Sequence, residues 1–444
     1  MSSSFPSTAS IDLTAIKAAA SAVYPPLSRT RTRLALLALA LGGFAIGTTE
    51  FVAMGLLPNL AENLLPAVWA QSQADATAQA GQLISAYALG VVVGAPTIAA
   101  LSGRFPRKQL ILWLLVAFTL GTIASALLPS FGLVLAARFI AGLPHGAYFG
   151  VAALVAASLM GEGKRGQGIA IVLSGLTIAN VIGVPLITFL GQSAGWRIAY
   201  LVVALLFAVT FVAVWLVVPL QAGDPNATMR RELRAFSRIQ VWLALAIGAI
   251  GFGGFFAVYS YVSPLSTDVT GITIGQVPFV LVVVGIGMTV GNLLGGRVSD
   301  WKVMPGIFIF FGTFMVSLVG LLLTADTVPG LVVFLFLTGA SASALSPCIQ
   351  SRLMEVAGDS QNLAAALNHA ALNMGNSLGA YLGGVTIAAG LGYLSPTWVA
   401  AALVVPGVIF AVLSVWVGRV QQGRSERGNS LGLQKDAVLD GSLT

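Results

Sequence analysis

Long apolar stretches separated by short polar segments dominate the sequence between residues 34 and 418. A helix needs about 20 apolar residues to cross the hydrocarbon core of a bilayer. The pattern therefore predicts twelve membrane-spanning helices, numbered here span 1 to span 12. They cover residues 34–58, 80–101, 109–128, 132–158, 167–190, 197–219, 240–264, 276–296, 305–325, 329–351, 362–389 and 395–418.

The polar interruptions of this pattern predict how the chain is divided. The longest internal interruption separates two blocks of six spans. The predicted divisions are an N-terminal tail (1–33), an N-terminal six-helix bundle (34–219), a central loop (220–239), a C-terminal six-helix bundle (240–418) and a C-terminal tail (419–444).

Composition agrees with a protein embedded in lipid. Of the 444 residues, 57% are hydrophobic and 8% are charged, whereas soluble domains carry about 25% charged residues. The net charge of +7 is spread over the whole chain, which argues against a nucleic-acid partner. The composition predicts a polytopic integral membrane protein whose surroundings are the lipid bilayer.

Basic residues fall on one predicted side of the membrane. All of the 22 lysines and arginines except Arg138 and Arg197 lie in the tails, in the central loop or in loops that follow even-numbered spans. Cytoplasmic loops of membrane proteins carry an excess of Lys and Arg. The asymmetry predicts that both termini are cytoplasmic, in a bacterial-type inner membrane.

The two halves of the chain repeat short motifs. Asn180-x-x-Gly183 in span 5 recurs as Asn376-x-x-Gly379 in span 11, and Gly-Arg pairs follow span 2 and span 8. The repetition predicts an all-α membrane protein built from two six-helix pseudo-repeats. Chance recurrence among glycine-rich apolar helices is the alternative interpretation.

Four segments, in order, resemble a known family. They are Gly47 to Pro58 in span 1, Arg138 to Gly146 in span 4, Gly175 to Arg197 in and after span 5, and Asn373 to Ala380 in span 11. Together they resemble the drug:proton antiporter group of the major facilitator superfamily, in particular its arabinose-efflux and chloramphenicol-exporter branch. The resemblance implies a twelve-helix transporter that exports a compound in exchange for protons.

The same resemblance assigns gating or structural roles to several residues. These are Arg104, Arg107, Lys108, Gly175, Gly183, Pro185 and Asp300. The loop after span 2 departs from the family pattern, because Gly103 stands where an acidic residue is usual and Pro106 stands where a glycine is usual. The departure puts in doubt the usual charge relay in this loop.

Glu50 is the only acid well inside a predicted span. At 1.5 Å per residue it lies about 6 Å outward of the middle of span 1, and Arg138 lies about 10 Å outward of the middle of span 4. A charge at this depth is costly and calls for an explanation. We predict that Glu50 carries the proton and that Arg138 modulates it. A static ion pair between the spans, or an arginine that braces the fold, is the alternative.

Other polar residues within the spans are candidates for the substrate cavity. His145 follows Arg138 by two helical turns, and His369, Asn373 and Asn376 form one stripe on span 11. These residues can contact substrate or relay protons, or they can link helices through hydrogen bonds. Tyr87 and Tyr259 are aromatic candidates, for which ordinary helix packing is the alternative.

Several classes of activity find no support in the sequence. It contains no G-x-x-x-x-G-K-[ST] signature for ATP, no acidic partner for Glu50, and one cysteine with two distant histidines. We therefore expect no enzyme activity, no catalytic residue, no cofactor and no metal. The expected partners are a small-molecule substrate and protons, with a monomeric state.

The sequence therefore favours proton-coupled efflux of a small apolar or amphipathic compound such as a drug. Export of a sugar or nucleoside by the same superfamily is one alternative. A membrane receptor or channel without coupling is an alternative from another class.

Overall fold

Long helices build nearly all of the computed structural model, which describes residues 28–161, 164–223, 237–357 and 361–440. Within those ranges every predicted span is a helix or a pair of helices joined by a distorted turn. Their bounds are Arg29–Gly55, Gln82–Ser102, Arg107–Leu127, Phe131–Met160, Gln167–Ala194, Trp196–Val217, Ile239–Tyr259, Val277–Trp301, Val303–Thr324, Val328–Ala357, Gln361–Thr386 and Ser395–Gln421. The predicted all-α, twelve-helix fold is confirmed.

Eleven helices in the described part of the chain are long and apolar enough to cross a membrane. Span 11, with 26 residues, is long enough but is not one of the eleven. Its apolar character is diluted by the stripe of His369, Asn373 and Asn376. A helix that buries such side chains needs partners within the protein rather than lipid.

The first and last spans extend beyond the apolar stretches that predicted them. Span 1 begins at Arg29, where the Ser28 hydroxyl accepts a hydrogen bond from the Arg31 backbone N–H (3.2 Å). The backbone of span 12 stays helical to Asp440. Hydropathy indicates only the part of a helix inside the lipid, so it does not detect helical ends that are polar. Residues 1–27 and 224–236, which hold most of the predicted N-terminal tail and central loop, lie outside the described residues.

Three spans are interrupted near the middle. Span 4 consists of Phe131–Gly142 and His145–Met160, separated at Leu143 and Pro144. Span 5 contains a π-helical turn at Ala179–Gly183, directly before Pro185, and span 7 contains one at Ile247–Gly251. Proline removes a backbone donor and clashes with the preceding turn, and π-turns often occur at functional positions.

The same helix pairs form in both halves. Span 1 packs on span 5, span 2 on span 4, and span 3 on span 6; likewise span 7 packs on span 11, span 8 on span 10, and span 9 on span 12. Each pair in the first half recurs six spans later. This repetition agrees with the two pseudo-repeats predicted from the sequence.

The halves meet along two helix pairs, span 2 with span 11 and span 5 with span 8. The Ser85 hydroxyl donates to the Ser377 carbonyl (3.1 Å) across the first pair. In the second pair, Gly285 lies so close to the Asn180 carbonyl that a side chain at this position would collide with the backbone. The central polar residues are enclosed between these contacts.

Candidate functional site

Glu50 lies buried in span 1 at the junction of the two halves, with 5% of its surface exposed. Its Oε1 accepts a hydrogen bond from Asn376 Nδ2 of span 11 (3.3 Å). Its Oε2 lies 4.0 Å from His145 Nδ1 of span 4. One carboxyl group is therefore in contact with a span of the other half and close to a titratable ring of its own half.

Tyr87 of span 2 connects His145 to Arg138. Its hydroxyl shares a hydrogen bond of 3.1 Å with His145 Nδ1, in which the donor depends on the histidine tautomer. The Arg138 guanidinium carbon lies 4.4 Å from the centre of the Tyr87 ring and 5.5 Å from that of Tyr200. A guanidinium over an aromatic face is attracted by the negative charge of the ring face.

Arg138 forms no ion pair with Glu50 within 4.0 Å, in the part of the chain that the structure describes. Its nearest hydrogen-bonding contact is instead with the Thr49 hydroxyl, to which Nη1 donates at 3.4 Å. Its Nε and Nη2 are buried and have no partner among the described residues. The direct contact that similar membrane depth allowed is absent, and the two charges are linked through Tyr87 and His145.

Backbone approach between spans 2 and 4 fixes the position of Tyr87. Gly142 of span 4 lies against the Tyr87 carbonyl, and a side chain at residue 142 would overlap it. The break at Pro144 then starts a new helix at His145, since the Tyr148 N–H bonds to the Pro144 carbonyl (2.9 Å). The glycine and the proline together bring His145 beside the Tyr87 hydroxyl.

A second histidine lies next to the first. The rings of His145 and His369 are 6.1 Å apart. Phe149 stacks face to face on His369, with ring centres 5.2 Å apart and planes 3° apart. The predicted cavity residues His145 and His369 are therefore brought together, although they come from different halves.

The stripe on span 11 is divided between two kinds of contact. Asn376 is fully buried and reaches Glu50, whereas Asn373 donates to the His369 carbonyl one turn earlier in its own helix (3.0 Å). The Oδ1 atoms of both asparagines are buried without a partner among the described residues. Asn376 therefore joins helices of the two halves, and a cavity lined by this stripe stays a prediction.

Aromatic side chains pack together beside span 1, directly after Glu50 in the chain. Phe51 stacks on Phe256 at 6.2 Å and lies 5.8 Å from Tyr259. Tyr259 is almost fully buried, and its hydroxyl has no partner among the described residues. Tyr259, like Tyr87, therefore belongs to the central cluster.

Three further polar residues within the spans were not identified as site residues from the sequence. Tyr200 and Thr49 contact Arg138, and Asn180 of span 5 has a buried Oδ1 without a described partner. Asn180 belongs to the repeated motif that also contains Asn376, which was a usable signal. The sequence contained no such signal for Tyr200, because a single tyrosine in an apolar span does not indicate which helix it faces.

The charged residues to which the resemblance assigned gating or structural roles lie at the helix ends, away from this cluster. Arg104 is exposed after span 2, and Lys108 Nζ at the start of span 3 donates to the Trp215 carbonyl of span 6 (2.7 Å). Arg107, beside Lys108, is half-buried, and its backbone N–H bonds to the Gln221 carbonyl (3.0 Å). Asp300 is exposed at the end of span 8, with no ion pair within the described ranges.

Gly175, Gly183 and Pro185 shape the contact of span 5 with span 1. A side chain at Gly175 would collide with the Ala40 backbone, and one at Gly183 would lie 2.5 Å from the Thr48 hydroxyl. Pro185 follows the π-turn that ends at Gly183. None of these contacts involves the Glu50 side chain, and the gating role of the three residues stays a prediction.

The two halves also contact each other at the helix ends opposite the basic loops. Three short helices, Leu57–Leu64, Pro66–Gln71 and Gln73–Ala80, connect spans 1 and 2. A cavity of about 340 Å³ between this connection and the second half is lined by Trp69, Asp268 and Tyr393, among others. Burial raises the pKa of Tyr393. The side chain of Tyr393 forms a hydrogen bond with Thr77 of the first half.

Within the described residues, no group of three or more His, Cys, Asp or Glu side chains is arranged so that it could hold a metal ion.

Comparison with known proteins gives consistent matches. The sequence profile described as Major Facilitator Superfamily matches residues 39–358. The chain is 38% identical over 358 residues to the inner membrane transport protein YdhP of Escherichia coli K12, covering 81% of this chain and 90% of that protein. It is 31% identical over 382 residues to the chloramphenicol resistance protein of Streptomyces lividans, covering 85% and 95%.

One solved structure with a similar fold is the crystal structure of a D-xylose-proton symporter. The match has a TM-score of 0.66 at 17% identity and covers 85% of this chain and 96% of that chain. At this identity the likeness concerns the fold alone.

Proposed function

The chain belongs to the major facilitator superfamily of membrane transporters, and on this premise we propose that it exports a small apolar or amphipathic compound, such as a drug, in exchange for protons. Membership confirms the resemblance found in the sequence motifs. The direction of transport, its coupling to protons and the class of substrate are what we propose.

Proton coupling is supported most by the contacts of Glu50. A charged side chain at the centre of a membrane helix costs about 2.5–3.5 kcal/mol, yet this carboxyl lies buried between the halves. It contacts Asn376 of the other half and lies close to His145. A proton that binds here changes a charge at the interface along which the halves must move.

Asn376 can serve both protonation states of Glu50. An ionised carboxylate only accepts hydrogen bonds, and the Asn376 amide donates to it. A protonated carboxyl can donate, and the Asn376 Oδ1 is a buried acceptor without a described partner. An amide therefore stabilises the group with and without its proton, which suits a carrier that must pass through both states.

Arg138 acts on Glu50 indirectly in this proposal. Tyr87 contacts the Arg138 guanidinium with its ring and His145 with its hydroxyl, and His145 lies 4.0 Å from Glu50. A change in the proton on Glu50 alters the hydrogen bond that His145 can make with Tyr87. The protonation of Glu50 thereby affects the surroundings of Arg138 through His145 and Tyr87. A direct salt bridge would instead favour the ionised form of Glu50.

The aromatic surroundings support an apolar or amphipathic substrate. Phe51, the residue after Glu50, packs with Phe256 and Tyr259, and Phe149 packs against both His145 and His369. Aromatic rings with few polar groups are typical of small-molecule sites in proteins. The name of the Streptomyces lividans relative, a chloramphenicol resistance protein, agrees with a compound of this class.

A sugar or nucleoside exporter is the second candidate. The buried amide oxygens of Asn180, Asn373 and Asn376 have no partner among the described residues. Unused acceptors of this kind suit a substrate with several hydroxyl groups. The cluster holds more aromatic rings than unused amide oxygens, among them Tyr87, Phe149 and Tyr259, and for this reason we favour the apolar substrate.

The proposal includes a topology in which both termini face the cytoplasm and the protein works as a monomer in the inner membrane. It also keeps the six-helix bundles at 34–219 and 240–418. The positive-inside bias supports the orientation, and the relative YdhP is described as an inner membrane protein.

Transport by the purified protein in liposomes tests the proposal. Uptake of radiolabelled chloramphenicol, ethidium and arabinose is measured with and without a pH gradient across the liposome membrane. We expect accumulation of chloramphenicol or ethidium only when the gradient drives exchange. Accumulation of arabinose alone would favour the second candidate. Equilibration that ignores the gradient would indicate a channel, and no movement at all would indicate a receptor.

A further inference from the structure

A second polar cavity lies at the basic ends of the spans, within the second half and away from Glu50. It has a volume of about 580 Å³. The start of span 7 provides Arg238 and Gln240, the end of span 10 provides Arg352 and Glu355, and Gly418 of span 12 completes the lining. This set is called the basic cavity below. None of the central polar residues contributes to it.

Arg352 is held in a fixed orientation in this cavity. Its Nη2 donates to Gln240 Oε1 (3.1 Å) and, with Nε, to the Ser414 hydroxyl (3.1 and 3.3 Å). Its side chain is 15% exposed, and its acidic partner Glu355 is 49% exposed. The guanidinium is thus pre-organised, while the carboxylate that pairs with it faces solvent, where its attraction is screened.

Arg238 and the start of span 7 add further positive potential. Arg238 is exposed and Nη1 donates to the Val356 carbonyl (3.1 Å), which directs the side chain toward span 10. The helix that begins at Ile239 has no side-chain cap for its first N–H groups. Such a helix start carries a partial positive charge and favours anions. Two arginines and this helix end face one acid.

The helices around the basic cavity carry the features of a membrane boundary. Trp242 and Trp416 are 52% and 62% exposed and belong to spans 7 and 12. Exposed apolar side chains adjoin them, among them Ile239 and Val412. Tryptophan is enriched at the level of lipid headgroups, so an acyl chain could lie along spans 7 and 12 while a headgroup occupies the basic cavity.

We propose that the basic cavity binds the phosphate group of an anionic phospholipid. Arginine matches phosphate geometry with its planar set of donors, and basic pockets between membrane helices at the cytoplasmic side are suited to anionic headgroups. The bound lipid would join the ends of spans 7, 10 and 12. A soluble phosphate compound shares the headgroup chemistry and is the other source that the experiment separates.

Native mass spectrometry of the purified protein tests this proposal. Phosphatidylglycerol and phosphatidylcholine with the same acyl chains are offered to the wild type, to Arg238→Gln and to Lys302→Gln. Lys302 is exposed after span 8 and outside the basic cavity, so its variant is the matched control. We expect Arg238→Gln to retain about fivefold less phosphatidylglycerol, the effect of one basic residue near a membrane surface, with phosphatidylcholine unchanged.

Three results would overturn the proposal. Equal loss of phosphatidylglycerol in both variants would show that general surface charge retains the lipid. No loss in either variant would show that the basic cavity does not bind an anionic lipid. Binding of inorganic phosphate to the wild type and to Arg238→Gln is measured as well. If it binds in an Arg238-dependent manner while phosphatidylglycerol is not retained, the occupant is a soluble anion and not a lipid. Melting temperatures of the variants verify that each is folded.

Discussion

Glu50 of span 1 accepts a hydrogen bond from Asn376 of span 11, 326 positions away in the chain, at a distance of 3.3 Å. This bond joins the two halves at a buried carboxyl group. In the proposed transport cycle, a proton on Glu50 would reverse the direction of this bond, because the protonated carboxyl would donate to the Asn376 Oδ1.

Glu50→Gln should separate a proton carrier from a structural ion pair. Glutamine keeps the shape and an acceptor for Asn376 but cannot titrate. We expect near-normal amounts of protein in the membrane and loss of pH-driven accumulation in liposomes, while exchange of substrate without a gradient persists. Glu62→Gln, in the exposed connection after span 1, is the matched control. Proton-driven transport equal to wild type would exclude Glu50, and His145 would be the next candidate.

Tyr87→Phe removes the hydroxyl that joins His145 to Arg138 and keeps the ring beneath the guanidinium. A hydrogen bond contributes about 0.5–1.5 kcal/mol, so we expect pH-driven transport to fall roughly two- to tenfold. Initial rates in liposomes measure the effect. Tyr381→Phe makes the same change at a side chain that is 54% exposed on span 11 and should leave transport unchanged. Equal rates for both variants would contradict the indirect link.

Substitutions of Arg138 distinguish its charge from its packing. Arg138→Lys keeps the charge but loses the planar contact with Tyr87 and Tyr200, and Arg138→Gln loses both. If charge acts on Glu50, the lysine variant should retain measurable pH-driven transport while the glutamine variant loses it. Membrane levels and melting temperatures of both are measured in parallel. Equal destabilisation of the two variants would support a bracing role instead.

Cysteine labelling tests whether span 11 lines the substrate path. Cysteines at Asn373 and Asn376 are placed in a Cys348→Ser background, since Cys348 is the only native cysteine. Both asparagines are at least 95% buried, so labelling by a small aqueous reagent requires movement of the halves. We expect slow labelling that added substrate slows further. Labelling no faster than at Val405, which is 52% exposed on span 12, would support a purely structural stripe.

Reporter fusions test the orientation. A reporter that is active only in the cytoplasm should work after Gly223, and one that is active only outside the membrane should work after Ala74. The expectation rests on the excess of Lys and Arg in loops on one side. Reversed activities would show that the positive-inside argument fails for this chain.

The number, order and approximate limits of the spans could be predicted from the sequence. Each span needs a long apolar run because lipid offers no hydrogen bonds to a polar group. Such runs can be recognised directly in the sequence. They do not mark where a helix ends in water, so Arg29 was placed before span 1 although it begins the helix. Nor do they mark the break at Leu143 and Pro144.

Part of the candidate site could also be predicted. Glu50, Arg138, His145 and Asn376 stood out because polar side chains in lipid-spanning segments are costly. Their depths were read from their positions in the spans, and the structure brings all four into one cluster. Depth alone allowed Glu50 and Arg138 to interact directly or through water, and the structure shows Thr49, Tyr87 and Tyr200 around the arginine.

The sequence by itself determined that this protein is a twelve-span membrane protein of the major facilitator superfamily, with one acid in the apolar region. Only the tertiary structure decided which groups meet that acid. Position along a span gives depth in the membrane, whereas the neighbours at that depth depend on how each helix is rotated and where it breaks. Those are set by contacts such as Gly142 against Tyr87 and Gly285 against Asn180, which join residues far apart in the chain.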